Sequence, residues 1–308
     1  MSASLSRNLW SVLRCSDCGG PLKSTDSAAA CTACGLEFPQ EPDGVIDLRL
    51  RKPRKYAVEF ELGTPLTLDD ALRIEPLKVN ERPEVDFGSM PVPHHMTREL
   101  ASYFPKAKSA DSLMLDLGCG DGVHRQLCEA AGFEWVGADY AESSRAPILA
   151  DAHALPFADE SFECLLSVAA IQLFRFPFVV MKEACRVLKP GGVFLGTVAF
   201  LEPFHDNGFY HHTHLGAINS LQTGGFNVER LAPSQDWTGL TAQARMGLFP
   251  RMPAALSNAV VYPLHLLHRL WWQMGRLVTD NPNAREDVRI RNTTGAFTFV
   301  ARKPGGLA

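Results

Sequence analysis

The sequence predicts an α/β fold built around a parallel sheet, and two observations carry this prediction. The first is a regular alternation of strand-like and helix-like segments after residue 108, a pattern typical of parallel strands joined by right-handed crossovers. The second is the run LMLDLGCGDG at residues 113–122, in which an apolar strand enters a glycine-rich turn. The first strand of this alternation is predicted at residues 113–117, with further strands at 134–138, 162–168, 193–200, 225–231 and 295–302. Helices are predicted at residues 123–131 and 178–188.

The glycine turn predicts a nucleotide-type binding site. Gly118, Gly120 and Gly122 permit positive φ and let the backbone lie against a ligand. The N–H groups at the start of the following helix would face the same ligand. Asp139, at the end of the second predicted strand, is placed to accept hydrogen bonds from ribose hydroxyls. A nicotinamide dinucleotide is disfavoured, because Val123 stands where GxGxxG requires its third glycine.

Two CxxC pairs predict a zinc site near the N-terminus. Cys15 and Cys18 form the first pair, Cys31 and Cys34 form the second, and glycine lies beside each pair. Four thiolates at this spacing can close a tetrahedral site without an open position, so the predicted Zn²⁺ is structural. A segment this small lacks a core of its own, and metal binding would stabilise it. We therefore predict a zinc ribbon over residues 1–50, with closing strands at 36–39 and 44–48.

The rest of the composition is that of an ordinary globular protein, with 46% hydrophobic and 21% charged residues. The net charge of −4 gives no global positive field for nucleic acid. We find no apolar signal-peptide core and no run long enough for a membrane-spanning helix. With the cysteine pattern, this predicts a reducing, cytoplasmic location. Residues 51–108 form a predicted linker. We favour a solvated linker with incidental histidines, and a cofactor lid that includes His94 and His95 is the alternative.

The later motifs extend the glycine turn into a family pattern. The run LDLGCGDG…VGADY…ADAHALPFADESFE…EACRVLKPGGVFLGTV resembles the class I S-adenosylmethionine-dependent methyltransferases with a type 11-like core. The resemblance implies a seven-stranded, mostly parallel Rossmann-like sheet whose last two strands form a hairpin. Residues 109–308 would form this core, and a helical insertion at about 236–291 would lie inside the hairpin.

The same resemblance assigns the cofactor residues. S-adenosylmethionine would lie on the turn formed by Asp116, Gly118, Gly120 and Gly122, with its ribose on Asp139. The adenine would be bound by Asp151, at the end of the third strand, and by the backbone amide of Ala152.

The acceptor site is predicted from the segment EPFHDNGFYHHTH at residues 202–214, just after the fifth strand. We favour His205 as general base because it comes soonest after the strand. Glu202 or Asp206 would orient it, and His211 is a further catalytic candidate. A packed or solvated role is the alternative for any one of these histidines, and a metal site is another.

The end of the fourth strand departs from the family pattern. The family often has histidine there, whereas this chain reads Ala169-Ala-Ile-Gln172. An amide can only orient a substrate by hydrogen bonding. A base from that position is therefore absent, and Gln172 is at most a positioning residue.

The insertion has one broad apolar face at helical spacing. The residues of that face are Leu256, Val260, Leu264, Leu267, Trp271, Met274 and Val278. Three interpretations stay open, namely a helix packed on the core, a cap over the substrate, or a helix that docks on a membrane surface. Packing on the core is the interpretation we favour, and membrane docking is suggested only by Trp271 and Trp272 with Arg269 and Arg276 beside them.

The sequence leaves three functions open. We favour O-methylation of a small-molecule, glycan or lipid-like acceptor, because the pattern PFH…YHHT…GGFNV resembles methyltransferases acting on such molecules. Bacterial 23S rRNA guanine-N1 methyltransferases also join a four-ligand zinc ribbon to this core, so RNA is the alternative acceptor. A non-catalytic cofactor-binding module that has lost its base is the third.

Overall fold

The structure is a computed structural model that describes residues 5–25, 28–41, 44–60, 74–203, 207–234, 236–278 and 285–305. The strands are Leu22–Ser24 (β1), Ala28–Cys31 (β2), Glu37–Pro39 (β3), Ile46–Asp47 (β4), Leu113–Leu117 (β5), Glu134–Asp139 (β6), Ile148–Leu149 (β7), Phe162–Ser167 (β8), Leu188–Ala199 (β9), Asn227–Pro233 (β10) and Ala296–Arg302 (β11). The α-helices are Arg7–Val12 (α1), Arg98–Ala101 (α2), Arg125–Ala130 (α3), Pro177–Val187 (α4), His214–Gly224 (α5), Gly239–Ala242 (α6), Ala254–Val278 (α7) and Glu286–Thr293 (α8). A 3₁₀ turn spans Ile171–Leu173, and a π-helix spans Gln243–Leu248.

The central sheet has the strand order β10-β11-β9-β8-β5-β6-β7-β4. The strands from β9 to β4 are parallel to their neighbours. Strand β11 runs antiparallel to both β9 and β10, so β10 and β11 form the predicted terminal hairpin with the insertion between them. The predicted α/β fold with a mostly parallel sheet is confirmed.

The core lies on both faces of this sheet, as side-chain alternation along a strand requires. One face buries Leu115, Leu165 and Phe194 beneath α4 and α5. The other buries Met114, Leu166 and Leu195 beneath α2 and α3. Because both faces are covered, the carboxyl ends of β5, β6, β8 and β9 are left as the edge at which a crevice can form.

The N-terminal segment differs from the prediction in its last strand. Strands β1, β2 and β3 form a separate antiparallel sheet. The expected ribbon strand at residues 44–48 contributes β4, whose Ile46 pairs in parallel with Ile148 at the edge of the central sheet. Ile46 also keeps an antiparallel bridge to Gln40, which follows β3, and it is fully buried. The segment therefore extends the central sheet as well as closing the small one.

The small sheet shares its apolar core with the central one. Leu9 and Leu13 of the α1 region and Phe38 of β3 are buried in the same cluster as the α4–α5 face. The backbone of Leu13 also bridges to that of Phe157. The cysteine-rich segment is therefore packed onto the core of the central sheet and is not a separate unit joined only by a linker.

Two local boundaries also differ from the prediction. Helix α4 ends at Val187 and β9 begins at once, so the KPGG run at 189–192 lies within the strand, where Gly191 has φ +75°. Residues 121–124 form turns before α3, so that helix begins later than expected. Within the described ranges, we find no helix with the length and apolar character needed to cross a membrane.

Candidate functional site

The glycine turn lies at the carboxyl end of β5, and its glycines serve different purposes. Gly118 has φ +74°, and a Cβ built on it would lie 2.5 Å from the Cβ of Ala170. Gly120 has φ +51°, but a Cβ there would meet no atom within 4 Å. Gly118 is thus required by the packing of the protein itself, whereas Gly120 borders open space. That space is where the turn can receive a ligand.

Asp139 is fastened to this turn. Its Oδ2 accepts the N–H of Gly120 at 2.8 Å, and its Oδ1 accepts the N–H of Ala141 at 2.9 Å. Each carboxylate oxygen can accept more than one hydrogen bond. The half-buried Asp139 carboxylate, held by two backbone donors beside the turn, can therefore still accept hydroxyl groups of a ligand.

Asp116 occupies a different place from the one predicted for a cofactor ligand. Its side chain is buried beneath the turn, with 1% of its surface exposed, and Oδ2 accepts the indole N–H of Trp135 at 3.1 Å. Burial raises the pKa of Asp116 to about 7, opposed by the Trp135 hydrogen bond and reinforced by the Asp139 charge. Asp116 is placed to support the turn from below and offers almost no surface to a ligand.

Asp151 is oriented by a histidine that sequence reasoning did not single out. His153 Nε2 accepts the N–H of Phe176 at 3.0 Å, so its proton is on Nδ1, which donates to Asp151 Oδ1 at 2.6 Å. Burial would raise the pKa of Asp151, but hydrogen bonds from the ring and the N–H of His153 lower it below its ordinary value. Asp151 thus remains ionised at neutral pH, and Ala152 beside it is buried. The spacing Asp-x-His at residues 151–153 is the sequence signal that could have predicted this contact.

A buried ion pair holds this loop against α4. Glu183 accepts the N–H of Leu155 at 2.9 Å and pairs with Arg186 at 2.7 Å. Arg186 also donates to the carbonyl oxygens of Leu155 and Phe157 at 3.0 and 2.7 Å. The EACR part of the family pattern therefore fixes the position of the loop that follows Asp151.

The adjoining part of the carboxyl edge is built from the end of β8 and the segment after β9. Ala169 has φ +54°, and its N–H donates to Thr197 Oγ1 at 2.8 Å. The side chain of the buried Gln172 donates from Nε2 to the carbonyl oxygen of Ala169 at 2.8 Å. The backbone carbonyl oxygen of Gln172 accepts the N–H of Phe209 at 2.9 Å. Gln172 thus anchors the aromatic and histidine-rich segment beside the carboxyl edge of the sheet.

Only some of the predicted catalytic residues lie within the described ranges. His205 and Asp206 lie outside the described residues. His211 is exposed, whereas the adjacent His212 is buried, and burial lowers the pKa of His212 to about 4, so it is neutral at pH 7. Glu202 accepts the indole N–H of Trp237 at 2.6 Å.

Trp237 joins this segment to the linker, a contact that sequence reasoning missed. Its ring lies 5.8 Å from that of His95, edge to face, and the guanidinium of Arg245 lies 5.6 Å from the indole centroid. Trp237 therefore contacts both His95 of the linker and Glu202 of the segment after β9. A lid over the carboxyl edge would require such a contact. No periodicity in the sequence indicates that residues 95, 202 and 237 meet.

The four N-terminal cysteines converge as predicted. Their sulfur atoms all lie within 4.8 Å of one another, with Cys15 and Cys34 at 3.9 Å and Cys18 and Cys31 at 3.4 Å. A tetrahedral Zn²⁺ with Zn–S bonds of about 2.3 Å separates its sulfurs by about 3.8 Å, so the donor set fits zinc. Burial would raise the pKa of Cys31, but the N–H groups of Cys34 and Ala33 and the neighbouring thiols lower it to about 7.

Part of the central sheet is similar in sequence to known methyltransferases. Residues 115–196 match the family described as a methyltransferase domain. An uncharacterized chloroplastic methyltransferase of Arabidopsis thaliana is 27% identical over 173 residues, which are 45% of this chain and 49% of that protein. A malonyl-[acyl-carrier protein] O-methyltransferase of Methylococcus capsulatus is 38% identical over 94 residues, 26% of this chain and 34% of that protein. The chain thus spans half or less of the length of these curated relatives.

A likeness to solved structures accompanies these matches. An S-adenosylmethionine dependent methyltransferase from Mesorhizobium loti has a TM-score of 0.41 and 15% sequence identity, covering 66% of this chain and 95% of that one.

Proposed function

We propose that this protein is an S-adenosylmethionine-dependent methyltransferase. The observation that carries the proposal is the pairing of the open turn at Gly120 with the carboxylate of Asp139, 2.8 Å from the Gly120 N–H. This pairing lies within the residues that match a methyltransferase domain. It provides a close backbone approach and an acceptor for a ribose diol at the carboxyl edge of a parallel sheet.

In this proposal the cofactor is held by three groups of residues. Gly118, Gly120 and Gly122 supply the turn, and Asp116 supports it from beneath. Asp139 binds the ribose, while Asp151 and the amide of Ala152 bind the adenine. When bound, S-adenosylmethionine supplies an electrophilic methyl group on a sulfonium centre. What the chain must add is the alignment of a nucleophile with that methyl group and the exclusion of water, because positioning provides much of the rate of such a displacement.

We propose that the acceptor is a small molecule, glycan or lipid-like molecule, methylated on oxygen. The supporting observation is the anchoring of the aromatic and histidine-rich segment to Gln172 at the carboxyl edge. A hydroxyl acceptor needs a base with a pKa near neutrality, and His205 stays our prediction for that base. Glu202 and His211 are the further candidates, with Glu202 held by Trp237. His212 is a poor candidate, because its ring is buried and burial lowers its pKa to about 4, which makes it a weak base at neutral pH.

RNA is the alternative acceptor, and cationic side chains around one cavity support it. A cavity of about 820 Å³ lies between the cysteine-rich segment and the core. Its lining includes Arg14, Arg54 and Lys55, together with Arg186, which is paired with Glu183 and Asp159 of the same lining. Arg51 and Lys52, which stand just before Arg54 and Lys55 in the sequence, are also exposed. Phosphate groups would be attracted to such a surface, with a steep dependence on salt.

We propose a structural Zn²⁺ bound by Cys15, Cys18, Cys31 and Cys34. The sulfur separations match those of a four-thiolate site, and two backbone N–H groups, of Gly20 and Cys34, point at sulfur at 3.4 and 3.5 Å. Four protein ligands leave no open coordination position. The metal would therefore stabilise the small sheet and the packing of Leu13 and Phe38, without a role in the methyl transfer. The cytoplasmic location stays a prediction.

One assay separates these functions. Purified protein with methyl-labelled S-adenosylmethionine is incubated with total ribosomal RNA, with a polar metabolite and glycan extract, or with a lipid extract, and label transfer is counted in each. Label in either extract but not in RNA supports the favoured acceptor class, and label in RNA alone supports the alternative. The Asp139→Ala variant is the control, because it should bind cofactor poorly and label nothing. Calorimetric binding of S-adenosylhomocysteine without transfer to any fraction would favour the non-catalytic module.

A further inference from the structure

Helix α7 is attached to the protein by its less apolar face. The residues turned inward recur at intervals of three or four positions: Ser257, Val261, His265, His268 and Trp272. Ser257 is fully buried, and Val261 is nearly so. The ring Nε2 of His265 lies 3.4 Å from the hydroxyl of Thr238, at the start of α6. His265 therefore joins the helix to the start of α6, and Ser257 and Val261 are buried on the same side of α7.

The opposite face of α7 is strongly apolar and exposed to solvent. Leu267 is 62% exposed, Trp271 70% and Leu277 87%. The same face also exposes Leu256, Val260, Leu264, Leu270 and Met274. An amphipathic helix of a globular protein normally turns such a face toward the core. Here the apolar face points away from the protein, which rules out the interpretation that it packs on the core.

A cap over the substrate is also a poor explanation for this face. A cap must turn its apolar side toward the crevice, whereas the inward side of α7 carries His265 and His268. A contiguous exposed apolar surface of this extent marks a site of interaction with a partner or a lipid phase.

The charge of the surrounding segment indicates which partner. Residues 236–293 contain seven arginines, no lysine and four carboxylate residues, a net charge of +3 in a chain whose net charge is −4. Arg269 and Arg276 are exposed on α7 itself. Both lie close enough to Glu286 to lower its pKa, after the hydrogen bond from Arg289 that is the main cause. Glu286 therefore lies near three arginines, Arg269, Arg276 and Arg289, and its one negative charge leaves them with a surplus of positive charge.

We propose that α7 docks on an anionic lipid surface. The helix would lie in the plane of the interface, with Leu267, Trp271 and their neighbours among the acyl chains and Arg269 and Arg276 at the level of the head groups. Tryptophan and arginine are the side chains suited to this boundary. A second copy of the chain is a weaker occupant, because it would add seven more arginines and only four carboxylates to the contact, whereas an anionic surface supplies the missing negative charge.

The test is flotation of the full-length protein with two kinds of vesicle. One is phosphatidylcholine alone, and the other is phosphatidylcholine mixed in equal parts with phosphatidylglycerol. We expect flotation with the anionic vesicles, little with the neutral ones, and a loss at high salt because exposed charges are screened. No cofactor is required, so the result is independent of the proposed enzymatic activity.

Substitutions on the two sides of α7 provide the matched comparison. Leu267→Glu and Trp271→Glu place a charge on the apolar face and should each weaken vesicle binding by about tenfold or more. Asn258→Glu adds the same charge at an exposed position on the other side of the helix and should leave binding unchanged. Replacing Arg269 and Arg276 by glutamine should reduce the preference for anionic over neutral vesicles. All of these positions are exposed, so thermal unfolding should confirm that the variants remain folded.

Two results would overturn the proposal. One is wild-type protein that stays at the bottom of the gradient with both kinds of vesicle. The other is a dimer in analytical ultracentrifugation that Leu267→Glu converts to monomer, with vesicle binding absent, which would assign the face to a second copy of the chain.

Discussion

The backbone N–H of Gly120 donates to Asp139 Oδ2 at 2.8 Å, which joins the middle of the glycine turn to the end of β6. The same carboxylate accepts the N–H of Ala141 through its other oxygen. Asp139 is therefore both a structural clamp on the turn and an acceptor that faces the crevice. Its substitution should affect cofactor binding more than stability, because the side chain is only half-buried.

Asp139→Ala should weaken S-adenosylhomocysteine binding by at least about tenfold, since hydrogen bonds to a charged group contribute about 1.5–3 kcal/mol. Asp139→Asn keeps an acceptor for Gly120 but loses the charge, so its affinity should fall between those of wild type and Asp139→Ala. Isothermal titration calorimetry measures the affinities. Asp121→Ala, at an exposed position of the same turn, is the control. Equal affinities for folded Asp139→Ala and wild type would remove Asp139 from the proposed site.

Gly118→Ala should destabilise the protein more than Gly191→Ala. Both glycines have φ near +75°, but only at Gly118 would the new Cβ meet another atom, the Cβ of Ala170 at 2.5 Å. Positive φ costs about 1–2 kcal/mol in either variant, and overpacking adds about 1–3 kcal/mol at residue 118. Urea unfolding measures the difference. The double substitution Gly118→Ala with Ala170→Gly should recover the overpacking part, and no recovery would show that the clash is not the cause.

The central fold followed from the sequence because apolar strands and glycine turns are local signals. The predicted strand at 113–117 has the bounds of β5, and β10 and β11 pair as the expected hairpin. Strand β4 could not be predicted in its place, since a two-residue strand carries no periodicity and its partner, Ile148, is far away in the chain.

The candidate site was predicted less completely than the fold. The glycine turn, Asp139 and the four cysteines lie where local motifs placed them, whereas the contacts of His153 with Phe176 and of Trp237 with Glu202 join distant parts of the chain. The helical period of α7 could be predicted from the spacing of its apolar residues. Periodicity defines an apolar face, but it does not show whether that face packs on the core or is exposed. His205 lies outside the described residues and stays a prediction.

Removal of the proposed zinc should lower the stability of the whole protein and not only that of the small sheet, because Leu13 and Phe38 belong to the core beneath α4 and α5. Cys34→Ser should reduce the zinc content from about one atom per chain and lower the melting temperature by several degrees. Elemental analysis and calorimetry give the two readouts. Cys185→Ser, on α4 and half-buried, should keep the zinc. Wild-type protein that binds no zinc even after its addition would contradict the assignment.

The buried carboxyl of Asp116 should make stability depend on pH between about 4 and 7. Its pKa is raised to about 7 in the folded protein and is about 3.9 in an unfolded chain. As pH rises through this range the unfolded chain loses the proton first, so the free energy of unfolding falls. The full effect is up to about 4 kcal/mol, at about 1.4 kcal/mol per pH unit.

Asp116→Asn cannot ionise and should lose this dependence. The free energy of unfolding of the variant minus that of wild type should therefore increase from pH 5 to pH 7 and level off above about pH 8. His124, whose Nδ1 lies 3.9 Å from Asp116 Oδ2, is present in both proteins, so the comparison isolates the carboxyl. Asp121→Asn, an exposed carboxylate of the same turn, should follow wild type across the range. If Asp116→Asn and wild type show the same slope in urea titrations at these pH values, Asp116 is ionised in the folded protein, and a partner for its second oxygen must exist beneath the turn.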